Sequence, residues 1–119
     1  MNLQEFMESK AKNIWVNEGR NAFYVRKGKH VINKEVQNTL DLANIDVAEE
    51  ETLQTAFEIH NFINLCEQTA KDNNLTFYVE NVLNPKLEGY LKRRKYESDN
   101  NMPAPSFSIS FSKPSVQTY

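Results

Sequence analysis

The run from Leu75 to Tyr96, LTFYVENVLNPKLEGYLKRRKY, leaves few folding choices for the second half of this chain. Leu75, Phe77 and Val79 alternate with Thr76, Tyr78 and Glu80, which is the period of a strand. Asn84 can cap a helix through its side-chain oxygen, and Pro85 suits the first helical position, where a missing N–H leaves nothing unpaired. Leu87, Tyr90 and Leu91 then share one helical face. The helix closes on Lys92, Arg93, Arg94 and Lys95, whose charges complement its dipole and last carbonyls. Just upstream, residues 57–71 carry Ile59, Phe62, Ile63, Cys66 and Ala70 at helical spacing. Helix, strand and capped helix in succession predict a sheet with helices packed against it.

Leu3, Phe6, Met7 and Ile14 suggest an N-terminal amphipathic helix running to about Trp15. Residues 22–33, AFYVRKGKHVIN, read as a hairpin whose two apolar-rich arms flank Lys27-Gly28, with glycine supplying the positive φ of the reversal. Residues 39–47, TLDLANIDV, follow as a strand that ends at the acidic triplet Glu49-Glu50-Glu51. Thr55 followed by Glu58 is a capping-box pattern, so the long helix is expected to start there or at Thr52. Residues 99–105 are a loop by composition. In residues 106–112 Phe107, Ile109 and Phe111 alternate with serines, predicting a strand with one buried and one wet face, paired antiparallel.

A chain of 119 residues predicts one domain, long enough to bury roughly two-thirds of its unfolded surface. A net charge of −2 counts against a protein built to grip nucleic-acid phosphates. One cysteine forms no internal disulfide, so no oxidising compartment is needed. The opening MNLQEFMESKAKN lacks the apolar core of a signal peptide, and no window approaches a membrane span, so a cytoplasmic domain is expected.

The order of elements resembles the acetyl-CoA-dependent N-acetyltransferase family of the GNAT type, in a small form such as some phages carry. The resemblance covers roughly residues 20–112 and is strongest over 39–112. VENVLNPKLEGYLKRRKY is similar to the family's strand-then-asparagine motif, with Asn84 opening the helix beside the cofactor. IDVAEEETLQTAF stands where the family has a strand end and a pyrophosphate loop. In the family that loop reads Arg or Gln, two residues, Gly, one residue, then Gly or Ala. Here Thr52, Thr55 and Phe57 hold those positions, and Leu53 stands where many members have a further glycine. Many members also place a tyrosine seven residues after the asparagine. Here that position is Leu91, and Tyr90 lies one residue earlier, about 100° around the helix.

The resemblance implies an α/β (α+β) domain with a mixed, mainly antiparallel sheet flanked by helices. It implies acetyl-CoA as acyl donor and an amine as acceptor. The pantetheine arm would lie beside Ile45 and Val47, and the diphosphate at Thr52, Gln54, Thr55 and Ala56, with Asn84 nearby. Glu80 would be the general base and Tyr90 the other catalytic candidate. A non-catalytic descendant that binds another protein, for instance a phage inhibitor of a host factor, is the competing reading. Its nominated contact is Glu49 to Glu51, which suits a basic partner.

The remaining chemistry-bearing residues have plainer readings. Glu80 can equally be a strand-end carboxylate paired with a lysine. His30 and His60 have no Cys, Asp or Glu partner at ligand spacing, so neither reads as a metal ligand. Cys66 shares the apolar stripe of its helix and reads as a buried, inert thiol. The KRRK cluster as a nucleic-acid grip is a third, weaker reading, because aromatic residues interleave with it sparsely.

Overall fold

The computed structural model describes residues 2–46, 52–82, 84–99 and 105–111. Asn2 caps α1 (Leu3–Glu8) by accepting from the Glu5 N–H at 2.8 Å, and Glu5 accepts from the Asn2 N–H at 3.3 Å. The helix is shorter than its apolar spacing suggested. The Ser9 hydroxyl donates to the Phe6 carbonyl and ends it, and Ile14 and Trp15 belong to strand β1 (Asn13–Glu18) instead. Ile14-Trp15-Val16 is a β-branched and aromatic run, so strand propensity outweighs the longer helical reading.

Gly19, at φ 61, turns the chain into β2 (Asn21–Ile32), where a side chain at position 19 would collide with Glu58. The hairpin expected around Lys27-Gly28 is not there. Gly28 lies in the middle of β2, and the reversal is at Asn33 and Lys34, with φ of 52 and 67. Two consecutive positive φ values match the right-handed twist of the flanking strands, and asparagine tolerates them well. Gly28 serves a different need: a Cβ there would sit 2.5 Å from Asp41 Oδ2 on the neighbouring strand β3 (Glu35–Asp46).

Helix α2 (Leu53–Asp72) starts at the Thr52 cap, whose Oγ1 accepts from the Thr55 N–H at 3.1 Å. Thr55 is thus inside the helix. Glu58 serves no capping box but accepts from the side chains of Asn21 and Gln54. Next come β4 (Thr76–Val79), α3 (Pro85–Arg93), β5 (Glu97–Asp99) and β6 (Ser106–Ser110). Asn84 caps α3 as expected, accepting from Lys86 and Leu87 N–H groups. Strand β4 covers Thr76–Val79 of the alternation expected from Leu75 to Glu80, and the chain takes a positive φ of 49 just beyond it at Asn81. Strand β5 was not legible, since its three residues ESD carry no apolar alternation.

Among the described residues six strands run in the order β1-β2-β3-β4-β6-β5, and of their pairs only β3–β4 is parallel. One sheet face packs under α2, with Phe62 stacked on Phe23 at 4.0 Å between ring centroids, beside Leu40, Leu42, Phe77 and Phe107. The opposite face is polar. It carries Arg26, His30, Thr39, Asp41, Tyr78 and Ser108, and the His30 ring stacks on Tyr78 at 3.8 Å. Ser106 and Ser108 are buried, so the serine face of β6 is not the wet face expected for it. Among the described residues no helix is long and apolar enough to cross a membrane.

Candidate functional site

The sheet splits where β3 and β4 part. Their parallel pairing ends at Leu42 and Val79, with a last bond from the Glu80 N–H to the Leu42 carbonyl. Strand β3 then bulges. Tyr24 pairs with Asn44 and Val25 with Leu42, leaving Ala43 without an opposite residue and swinging the strand end aside. On the other side, Asn81 bends the chain and the Val82 N–H donates to Pro105, drawing it toward β6. A cavity of about 400 Å³ opens in the fork, between Ala43 to Ile45 and Val79 to Val82, with Ile59 and Leu87 from the helices against it.

A second cavity of about 480 Å³ adjoins it between the start of α2 and α3. Ile59, Asn84 and Leu87 line both, so the two adjoin between the fork and the helix end. Thr52, Thr55 and Ala56 line the second cavity, opposite Lys86, Tyr90 and Arg93. Of the residues nominated from the sequence, Ile45 and Glu80 thus lie in the fork, and Thr52, Thr55, Ala56 and Tyr90 in the helix-flanked cavity. Asn84 lies in both, and Gln54 lines neither. Val47 and the Glu49–Glu51 patch fall outside the described residues.

Sequence reasoning passed over Lys86 and took Arg93 only within the KRRK run. Lys86 and Arg93 share the cavity face of α3 with Tyr90, at positions four and seven on from Lys86. That spacing was the available signal, and Arg93 reads differently when taken only as part of a C-terminal charge run.

Tyr90 is held by a relay that fixes its proton. Arg94 donates to the Asn64 carbonyl oxygen at 2.9 Å, which turns the Asn64 amide NH₂ toward His60 Nε2 at 3.1 Å. Nε2 therefore accepts, so Nδ1 carries the hydrogen and donates to the Tyr90 hydroxyl oxygen at 2.7 Å. The Tyr90 O–H remains available to donate, and burial raises its pKa above the ordinary phenol value. Behind the relay, Glu67 accepts from both Arg94 and Tyr96.

Cys66 and Tyr96, in the same layer, give a pH dependence. Burial first and the neighbouring Glu67 second push the Cys66 thiol well above its ordinary 9.0. Burial and then the hydrogen bond to Glu67 raise the Tyr96 hydroxyl above its ordinary 10.0. Both groups keep their protons in the folded chain at pH values where the unfolded chain releases them. Stability is therefore intact below about pH 9 and falls as pH rises further, by about 1.4 kcal/mol per pH unit for each retained proton. Urea midpoints measured from pH 8 upward should drop more steeply for the parent than for Tyr96→Phe. Equal slopes above pH 10 would remove Tyr96 from this account.

Glu80 is not a free carboxylate. Arg26 Nη2 donates to its Oε1 at 2.6 Å and also contacts Oε2, so its partner is an arginine that reaches across β3 from β2, and not a lysine. Next to this pair, His30 Nε2 lies 3.0 Å from Asp41 Oδ2. The donor atoms of His30, Asp41 and Glu80 all fall within 4.8 Å of one another. The sheet thereby assembles what linear spacing did not, because Arg26 and Asp41 face each other across β2 and β3.

No protein-family model and no curated protein matches the chain. Among solved structures it is similar to a mutant of the toxin AtaT bound to the C-terminus of the antitoxin AtaR and acetyl-CoA. The TM-score is 0.54 at 8% identity, covering 76% of this chain and 58% of that one. The chain thus spans little more than half the length of that neighbour, and what the two share is the fold: a single GNAT-like α+β domain with a mostly antiparallel six-stranded sheet.

Proposed function

We propose that this protein is an acyl-CoA-dependent N-acyltransferase, or a descendant that keeps the acyl-CoA channel. The observation that carries this reading is the pair of adjoining cavities. A forked parallel strand pair opens directly onto a helix N-terminus flanked by Lys86 and Arg93. Beyond Leu42 the described residues of β3 run past the fork without a β4 partner, so the strand can hydrogen-bond an extended amide chain such as pantetheine. The apolar side chains of Ile59 and Leu87 would pack against that chain. The glycines usual in a diphosphate loop are absent, and at the start of α2 the Thr55 N–H is already taken by the Thr52 cap. Lys86 and Arg93 offset that loss with positive charge on the opposite wall.

Acetyl-CoA would supply an activated thioester in the fork. An amine nitrogen would form the C–N bond at the thioester carbonyl carbon while the C–S bond breaks, CoA leaving as the thiolate and the nitrogen giving up one proton. Glu80, at the rim of the fork, is the acceptor for that proton, and Arg26 fixes its carboxylate. Tyr90 lines the α2–α3 cavity and not the fork, so its O–H would donate to the cofactor's pantetheine or phosphate oxygens rather than to the leaving sulfur.

Calorimetric titration with CoA and acetyl-CoA tests the reading. The parent should bind both, and a Lys86→Ala/Arg93→Ala double variant should bind about tenfold or more weakly, the scale of charge-assisted hydrogen bonds to phosphate. No heat from either ligand with a folded parent would overturn it. A protein-binding role would then take its place, favoured by Leu53 and Phe57, which stand 92% and 60% exposed on the first turns of α2.

A further inference from the structure

We propose that His30, Asp41 and Glu80 form a binding site for a divalent transition-metal ion on the sheet face opposite α2. The starting point is Asp41. It lies in the middle of β3 at 2% exposure, yet among the described residues its carboxylate has one hydrogen-bonding neighbour, His30. The other oxygen, Oδ1, is buried without a partner, and so is the neighbouring Thr39 Oγ1. Burying a carboxylate with half its acceptor capacity unused is costly unless a cation supplies the rest.

The backbone at Gly28 lets the oxygens of Asp41 and Thr39 come close to β2. Gly28 faces Thr39 across the β2–β3 ladder, and the point where its Cβ would lie is 2.5 Å from Asp41 Oδ2 and 3.2 Å from Thr39 Oγ1. Any side chain at position 28 would fill the space that oxygen atoms now border. The 3.0 Å between His30 Nε2 and Asp41 Oδ2 also matches two adjacent ligands on one ion, since bonds of roughly 2.0–2.2 Å place neighbouring donors about 3 Å apart. The His30 ring is held flat against Tyr78, so Nε2 is already aimed at the carboxylate. Glu80, 17% exposed at the rim, is the third donor.

The counter-charge now on Glu80 is Arg26, and its side chain is 41% exposed. It can swing into solvent and release Glu80 to an ion, a state distinct from the one in which Arg26 holds Glu80 as a proton acceptor. One imidazole with two carboxylates suits Zn²⁺, Co²⁺ or Mn²⁺ better than Mg²⁺ or Ca²⁺, which favour oxygen alone. Three protein donors leave a coordination position open, as in sites that act on a ligand rather than brace a fold.

The test needs no acyl-CoA. Zn²⁺ and Co²⁺ are titrated into the parent by calorimetry, and the Co²⁺ form is followed by its visible absorption. One site per chain is expected, with affinity lowered about tenfold or more in both His30→Gln and Asp41→Asn. Arg26→Ala should bind more tightly than the parent, because it removes the competing cation. That increase separates a metal site from a simple ion-pair network, in which Arg26→Ala would create no metal affinity. His60→Ala, at the second histidine, should bind like the parent. Thermal melts identify unfolded variants, and Glu80→Gln replaces any that fails. No binding by parent and Arg26→Ala would overturn the proposal, as would binding lost in His60→Ala and kept in His30→Gln.

Discussion

Phe62→Ala will lower the stability of the domain by about 3–5 kcal/mol, the usual loss for removing a fully buried phenylalanine ring. Phe62 is 1% exposed and stacks on Phe23 with an interplanar angle of 12°, at the centre of the contact between α2 and the sheet. The ring is gripped from both sides: the helix on one, β2 on the other. Collapse around the lost volume would require α2 to shift toward the sheet, and the Glu58–Asn21 and His60–Tyr90 hydrogen bonds that tie the helix elsewhere resist that. With total stabilities of about 5–15 kcal/mol, the variant should sit close to its unfolding threshold. A urea denaturation midpoint reads the effect directly. Phe57→Ala, three-fifths exposed on the same helix, is the control and should change stability by no more than about 0.5 kcal/mol. Equal losses in the two variants would contradict the packing described for α2.

Ile59→Trp should weaken CoA binding by about a hundredfold, roughly 2.8 kcal/mol, while leaving the melting temperature nearly unchanged. Ile59 is partly buried and lines both cavities, so a larger side chain there plugs the channel at its junction. The indole would have open cavity to occupy, which is why folding is expected to tolerate it. Ligand and side chain would compete for the same volume. If Ile59→Trp binds CoA as tightly as the parent, the ligand does not run through the junction and the channel reading fails.

The parts legible in the sequence are those where one local rule acts alone. Asn84 followed by Pro85 fixed the start of α3, and the stripe of Phe62, Ile63, Cys66 and Ala70 fixed the buried face of α2. Gly28 misled because a glycine between apolar arms looks like a turn, whereas its cause lies on another strand, in the Asp41 carboxylate. The true turn residues, Asn33 and Lys34, include a lysine that seldom signals positive φ. The fork was illegible for a similar reason. The bulge at Ala43 depends on which residues of β2 lie opposite, and that register is not written locally in β3. Glu80 was open to nomination from its place at a strand end, but Arg26, His30 and Asp41 reach it only through sheet pairing.

Strand β6 lies between β4 and β5, and among the described residues it is the one sheet partner of β5. The chain therefore makes the outer strand before the one that must slot inside it. Until β6 arrives, β4 presents a bare edge on its far side, and the fork with β3 has only one finished wall. The meander of β1 to β3 needs nothing but two tight turns and its own neighbours, so it can form as soon as residue 46 is available. The order of assembly is thus built into the strand order. The half of the sheet that carries His30 and Asp41 can stand early, and the far side of β4 is closed only after the serine-rich strand has been threaded into place.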